Sequence, residues 1–408
     1  MSNEYDAIVV GARCAGSSTA MLLARKGYRV LLLDRASFPS DTLSTHYIHQ
    51  PGISFLKQWG LLDKVIESNC PPVSHYTLDV GYFALKGSPP SVDGVADAYA
   101  PRRKVLDQIL VDAAVEAGIE LRERFSVNEL ITDGKRVVGV RGHSAGGAMV
   151  TEKARLVIGA DGLHSLVARS VGASVYDDRP TLTCVYYTYW SDVPIEGVEL
   201  YSRPGRMIIA APTNDGQTLT IVYWPHAAFH EVRANIEGNF MEALDLAPGL
   251  AERVRGGTRS EQFRGSADLP NFFRHSYGPG WALVGDAGHH KDPILALGIT
   301  DAFRGADLLA EAVDAGLSGR QSPIGALADY QRVRDELAAP GFESTYQFAK
   351  LEPPSPEMQQ LFAALRENQE QTNRFFGTFA GTVPGVEFFA PENIESIFRA
   401  QYAASSTV

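Results

Sequence analysis

A chain of 408 residues can bury a sizeable core and suggests two or three domains. Its 45% apolar and 21% charged content is that of a soluble globular protein. The formal net charge of -11 repels phosphate backbones and anionic lipid heads, which argues against nucleic acid and membrane surfaces as partners.

The polar start, Met1 to Asp6, has no signal-peptide character. No apolar run approaches the ~18 residues that span a bilayer, so a cytoplasmic protein is expected. The three cysteines, Cys14, Cys70 and Cys184, stand far apart in no metal-ligand spacing. That favours a reducing compartment over a disulfide framework or a zinc site. Ala7 to Val10 reads as a fully buried parallel strand, and a Gly-containing turn follows it. Ser17 to Lys26 reads as a helix stopped by Gly27, and Val30 to Leu33 as a second buried strand ending at Asp34. These elements make one βαβ unit. Thr42 to Leu62 is expected to be loop and then helix, with Ile53, Leu56 and Trp59 on one face. The Pro-, Gly- and Ser-rich stretch Pro71 to Pro101 reads as a first excursion into an antiparallel region.

Val105 to Ala117 carries apolar residues at helical spacing and is stopped by Gly118. Asp133-Gly134 between Leu130–Thr132 and Val137–Arg141 is a hairpin signal, and Leu156 to Gly159 is another buried strand. Thr183–Trp190, Met207–Ala211 and Thr218–Trp224 are β in character, the last two joined through Asn214-Asp215-Gly216. A short buried strand over Trp281 to Val284 precedes a helix from about Thr300 to Ala315. Pro353 to Phe376 reads as helical, before a loop-rich tail.

Four segments carry chemistry. In Gly11-Ala12-Arg13-Cys14-Ala15-Gly16, Gly11 makes the tight turn out of the strand and Gly16 lets the helix pack on the sheet. The helix N-terminus around Cys14 and Ala15 receives a pyrophosphate, and Asp34, beside Arg35, accepts hydrogen bonds from a ribose diol. Arg13 replaces the usual middle glycine; the competing reading is a Gly-rich turn without a ligand. Arg103, opening the next helix, pairs with a pyrophosphate or is a surface residue. Asp161, in Gly159-Ala160-Asp161-Gly162, lies beyond a buried strand, where doubly wound sheets place ligands; alternatively it makes an Asx turn. Asp286, in Gly285-Asp286-Ala287-Gly288, lies beyond another buried strand and can bind a polyol chain. The Gly298-Ile299 turn then leads into a helix whose N-terminus stabilises negative charge. His289 and His290 are adjacent, point opposite ways in a strand, and make a poor metal pair, so no metal is expected.

These four segments, in this order, resemble the FAD-dependent aromatic hydroxylase superfamily, the group A flavoprotein monooxygenases related to flavin halogenases and geranylgeranyl reductases. The resemblance covers roughly residues 5–315. It implies an α/β protein: a Rossmann-like FAD-binding domain, a β-sheet-rich substrate domain of the para-hydroxybenzoate-hydroxylase kind, and a helical C-terminal region. The expected division is 1–72, 100–178 and 274–325 for FAD, 73–99 and 179–273 for substrate, and 326–408 for the helical region. By the resemblance, Gly11, Cys14, Ala15, Gly16, Asp34 and Arg35 hold the ADP half, and Arg103 contacts the phosphates. Asp161 serves the Asp-Gly motif, whose second basic residue is displaced to Arg169. Gly285 and Asp286 bind the ribityl chain or pyrophosphate, and Pro293, Gly298 and Ile299 border the isoalloxazine.

The same resemblance implies hydroxylation of an aromatic or polyketide-like small molecule through a flavin C4a-hydroperoxide, with O2 as oxidant and transiently bound NAD(P)H as reductant. The Trp-x-Trp-x-Ile-Pro motif of halogenases is absent, and the segment after the second strand, Ser40 to His49, lacks the cysteine usual in geranylgeranyl reductases. Reduction of isoprenoid or other carbon–carbon double bonds, or a halogenase-like reaction, stays the alternative. Tyr187, Tyr189, Trp190, Met207, Tyr223 and Trp224 are candidates to line an apolar pocket, though alternation allows only half of them to do so. His46 and His226 are the acid–base candidates, against a reading of each as a satisfied loop histidine, and His46 is also a candidate for covalent flavin attachment.

Overall fold

The computed structural model describes residues 4–405. β-Branched and leucine runs with polar residues only at their ends become the centre of a parallel sheet. Tyr5–Val10 pairs on one side with Val30–Leu33 (Ala7 opposite Val30) and on the other with Val150–Gly159 (Ala7 opposite Leu156). Trp281–Leu283 and Glu120–Arg122 extend the sheet at either side, all in parallel. The hairpin Phe125–Asp133/Arg136–Ser144 pairs with the first half of Val150–Gly159. The hairpin strands run longer than the alternating residues alone suggested, because each pairs along its full length.

Helices Cys14–Arg25, Arg103–Glu116 and Gly298–Leu317 cover one face of this sheet. The first begins three residues before the apolar pattern does, since Cys14, Ala15 and Gly16 pack as helix against the strand ends.

A second, mostly antiparallel sheet runs in the order Thr258–Arg259, Thr183–Ser191, Thr218–Pro225, Arg206–Pro212, Val198–Arg203, Tyr76–Asp79, Ala84–Gly87. It is buried on both faces, and alternation divides its side chains cleanly. Val185, Tyr187, Tyr189, Met207, Ile209, Ile221 and Tyr223 face a cluster completed by Phe362, Phe375, Phe376 and Phe388 of the C-terminal helices. Cys184, Tyr186, Trp190, Ile208, Val222 and Trp224 face the helices Ile236–Leu244 and Pro248–Gly256. Trp190 and Trp224 therefore lie behind the sheet, away from the face that carries Tyr187, Tyr189, Met207 and Tyr223.

The C-terminal region is helical, as the resemblance implies, but its individual helices differ from those read off the residue pattern. A 26-residue helix, Pro323–Phe348, runs through Pro340. The expected single helix over 353–376 is two, Pro356–Arg366 and Gln369–Ala380, broken before Asn368, whose side chain caps the second. The tail is not loop: Gly385–Phe388 and Pro391–Ser405 are helical, the latter burying Ile397. Among the described residues no helix is long and apolar enough to cross a membrane.

Candidate functional site

The carboxyl ends of the parallel strands open into a cavity of about 810 Å³, within the size range of cofactor sites. Two of the covering helices aim their N-termini at it. Cys14 and Ala15, at the start of the 12-residue helix Cys14–Arg25, and Gly298 and Ile299, at the start of the 20-residue helix Gly298–Leu317, line the cavity. Neither helix has a side-chain cap, whereas Asn235, Ser322, Ser355 and Asn368 cap helices elsewhere in the chain. Uncapped helical N–H groups facing a cavity favour anions and partial negative charge.

Local sequence explains this arrangement. Gly11 adopts φ +102°, closed to residues with a Cβ except at a cost, and turns the chain from strand to helix. Gly16 lies behind the turn rather than in the cavity lining: a Cβ there would stand 1.7 Å from the Gly11 oxygen, so this glycine sets the distance of closest approach of helix to strand. Arg13, where a glycine is usual, keeps an extended backbone. It points its guanidinium at Asp107 (2.5 Å) and the Ser40 hydroxyl (3.1 Å), and it lines the cavity with Cys14 and Ala15.

Asp34, buried at the end of the second strand, accepts from the Ala12 N–H (2.6 Å) through Oδ2 and from the Ala36 N–H (2.7 Å) through Oδ1. Each oxygen keeps a further lone pair for a diol. Arg35 lines the cavity next to it. Asp161 Oδ2 accepts from the Leu166 N–H (2.6 Å) and the Val167 N–H (3.2 Å) at the start of the short helix Leu166–Ser170, whose N-cap is Ser165, while its buried Oδ1 has no hydrogen-bond partner. These bonds reach five and six residues ahead rather than the two of an Asx turn, and Asp161 is a cavity residue. Asp286 and Gly285 lie on a 3-10 turn beyond the strand Trp281–Leu283 and also line the cavity, as does Arg169.

Arg103 lines it too, but its Nε and Nη2 are held by the fully buried Asp107 at 3.0 and 2.9 Å, and Nη1 takes no part in that pair. Pro293 sits where this cavity meets a second. His289, buried and stacked on Phe273, has an unpartnered Nε2 and lines the first cavity beside Lys291 and Asp301, which form a buried ion pair. A Cβ at Gly298 would meet nothing within 4 Å, so space rather than protein surrounds that turn.

The second cavity, about 50 Å³, lies between the second sheet and the C-terminal helices. Met207, Ile209, Ile221, Phe348, Phe376 and Phe379 form much of its wall, and Thr45, Tyr47, Pro293 and Ala296 line both cavities. Its aromatic wall from residues 348–379 was not visible in the sequence, because nothing in a local pattern says which sheet a C-terminal helix will cover. Tyr47, His49 and Tyr76 were likewise passed over: each reads singly as a loop or strand residue.

Both acid–base candidates fall elsewhere. His46 lines neither cavity; its Nδ1–H donates to the Ala100 carbonyl (3.0 Å) and its Nε2 accepts from the Tyr189 hydroxyl (3.0 Å). Burial, with the nearby Arg102 charge adding to it, pushes His46 down to about 3, so it is a neutral, saturated core residue. Arg102 itself lies 3.7 Å over the Tyr189 ring and pairs with Asp41 (3.0 Å) and Glu261 (2.6 Å), pinning the segment that leads to Thr42–Thr45 at the cavity. His226 is exposed in the turn after Pro225 and lines neither cavity.

Comparison with known proteins identifies the family. Residues 4–341 match the family model described as FAD binding domain. The chain is 28% identical over 349 residues to a tryptophan 2-halogenase of Chondromyces crocatus, a match covering 80% of this chain and 64% of that protein, so it spans less than two thirds of that relative. It is 27% identical over 370 residues to a digeranylgeranylglycerophospholipid reductase of Methanopyrus kandleri, covering 86% of this chain and 91% of that one. A solved structure from Pseudomonas aeruginosa, named as "a probable FAD-dependent monooxygenase", superposes with a TM-score of 0.71 at 21% identity, covering 92% of this chain and 99% of its own. At that identity the likeness concerns the fold alone.

Proposed function

The chain belongs to the FAD binding domain family, in the superfamily of aromatic hydroxylases, flavin halogenases and geranylgeranyl reductases, and from that premise we propose that this FAD-dependent oxidoreductase hydroxylates an aromatic or polyketide-like small molecule. The observation that carries the reading is the apolar, aromatic-walled slot that shares Thr45, Tyr47, Pro293 and Ala296 with the cofactor-sized cavity.

The residues fit FAD. The Cys14–Arg25 helix end takes the pyrophosphate, Asp34 the adenosine ribose, and Asp161 Oδ1, Gly285 and Asp286 the ribityl side. Arg103, held on Asp107, supplies positive potential beside the phosphates. The Gly298–Leu317 helix end, with Pro293 and Ile299, borders the ring system and stabilises negative charge on it. When bound, FAD supplies acceptance of a hydride from NAD(P)H and reaction of its reduced form with O2. What the chain adds is exclusion of water. Apart from Thr45 and the Tyr47–His49–Tyr76 group, whose polar atoms bond to one another and to the Leu295 carbonyl, the side chains walling the small cavity are apolar. Neither His46 nor His226 is assigned a proton-transfer role. We also propose the division of cofactor and substrate segments given above, supported by the separation into two sheets.

A second reading, reduction of a carbon–carbon double bond, is favoured by the similarity to an archaeal reductase over nearly the whole length of both chains. Substrate-stimulated NAD(P)H oxidation and product formation, measured with and without O2, separates the two. Hydroxylation requires O2; equal product in its absence supports reduction instead. A preparation that stays colourless and cannot be reconstituted with FAD would overturn both.

A further inference from the structure

Three side chains in the wall of the small cavity, of which Tyr47 also lines the larger one, form a hydrogen-bond chain whose direction follows from its far end. The Leu295 carbonyl oxygen can only accept, so His49 Nε2, 3.0 Å away, carries a hydrogen. Burial pushes His49 down to about 4, so near neutral pH the ring holds a single proton and Nδ1 is bare. The Tyr76 hydroxyl, 3.1 Å from Nδ1, must donate to it. Tyr47 Oη, 2.8 Å from Tyr76 Oη, then donates to Tyr76. Every proton in the chain is directed along it toward the Leu295 carbonyl. Tyr47 lines both cavities and is left with oxygen lone pairs alone.

The chain ends on a carbonyl, so it offers no sink for a proton taken from a ligand; His49 would have to hold it, and burial opposes that. The network orients rather than titrates. We propose that Tyr47 is a specificity-determining residue, an acceptor-only hydroxyl that selects ligands presenting an O–H or N–H donor where the apolar slot meets the flavin cavity. This rests on the reading of that slot as the substrate site. A ligand presenting only an acceptor meets Tyr47 lone pair to lone pair. Turning the Tyr47 proton outward to relieve this breaks the bond to Tyr76, at a cost of up to about tenfold in population. Thr45, the other polar residue shared by the two cavities, has a freely rotating hydroxyl that serves donors and acceptors alike, so discrimination falls on Tyr47.

The test titrates the FAD-loaded full chain with phenol, anisole and benzene, read by the change in flavin absorption. Phenol is expected to bind about tenfold more tightly than anisole. Tyr47→Phe should abolish that difference and leave benzene unchanged. Tyr76→Phe frees the Tyr47 proton, so anisole should tighten towards phenol with phenol itself unweakened, a result that a merely structural role for these tyrosines cannot give. Undetectable phenol binding, equal binding of phenol and anisole to the unaltered protein, a preference that survives Tyr47→Phe, or equal weakening of all three probes overturns the proposal. Binding alone is read, so O2-independent turnover would sink the hydroxylase reading and leave Tyr47 in place, and lost discrimination would do the reverse.

Discussion

Asp292 caps the turn Pro293–Leu295 that separates the two cavities, and it does so as a carboxyl group almost wholly removed from water. It is 1% exposed; Oδ2 accepts from the Thr183 hydroxyl at 2.5 Å and Oδ1 from the Ile294 N–H at 3.0 Å. Burial outweighs those two hydrogen bonds and raises the carboxyl from 3.8 to about 6. Because the folded value lies above the unfolded one, the stability contributed by protonation is fully present below 3.8 and is lost as pH rises through about 6. The whole effect is worth about 3 kcal/mol, of which roughly 1.4 kcal/mol remains at about pH 5 and almost none at about pH 8.

Asp292→Asn keeps the shape and an acceptor for Ile294 but cannot ionise. Urea unfolding of both proteins at those two pH values, compared as the difference between them, cancels every titrating group they share. The variant's stability relative to the unaltered protein should rise by roughly 1.4 kcal/mol from the lower to the higher pH. A difference that does not change with pH, or that changes the other way, refutes the assignment of an unpaired buried carboxyl at this turn.

Gly16→Ala drives a methyl group into the Gly11 carbonyl and should cost about 3 kcal/mol or more of stability along with bound flavin; a variant purified with one FAD per chain contradicts this. Asp34→Asn puts a donor where Ala12 and Ala36 both need an acceptor, so FAD affinity, measured by fluorescence quenching, should fall at least about tenfold. His46→Ala leaves the buried Tyr189 hydroxyl without its acceptor, while the Ala100 carbonyl keeps the Thr213 hydroxyl at 2.6 Å, and should lower the unfolding free energy by about 2 kcal/mol without moving the pH profile of turnover. A displaced profile would return His46 to the chemistry.

How much was legible in the chain differs by element. Gly11, Asp34, Asp161 and Asp286 could be picked out because each sits where a buried strand stops, and a buried strand writes itself as a short continuous apolar run. Gly16 was legible as a packing residue, but its exclusion from the cavity lining was not. The helix Pro323–Phe348 escaped notice because its apolar residues are sparse and Pro340 interrupts it; its burial of Tyr330, Ala338 and Phe342 against other elements sustains it. The same holds for the final helix, Pro391–Ser405, whose pattern is weak until Ile397 has a surface to meet.

The sequence by itself determined the FAD class, through the order of four segments spread from Gly11 to Gly298, because each buried strand and the glycine and acidic residue after it are written in residues close together along the chain. Only the tertiary structure decided which face of the second sheet meets the cavity, that His46 is spent on the core, and that Tyr47, Tyr76 and His49 share protons. Those outcomes depend on contacts between residues as far apart as His49 and Leu295, whose pairing no local period or spacing encodes.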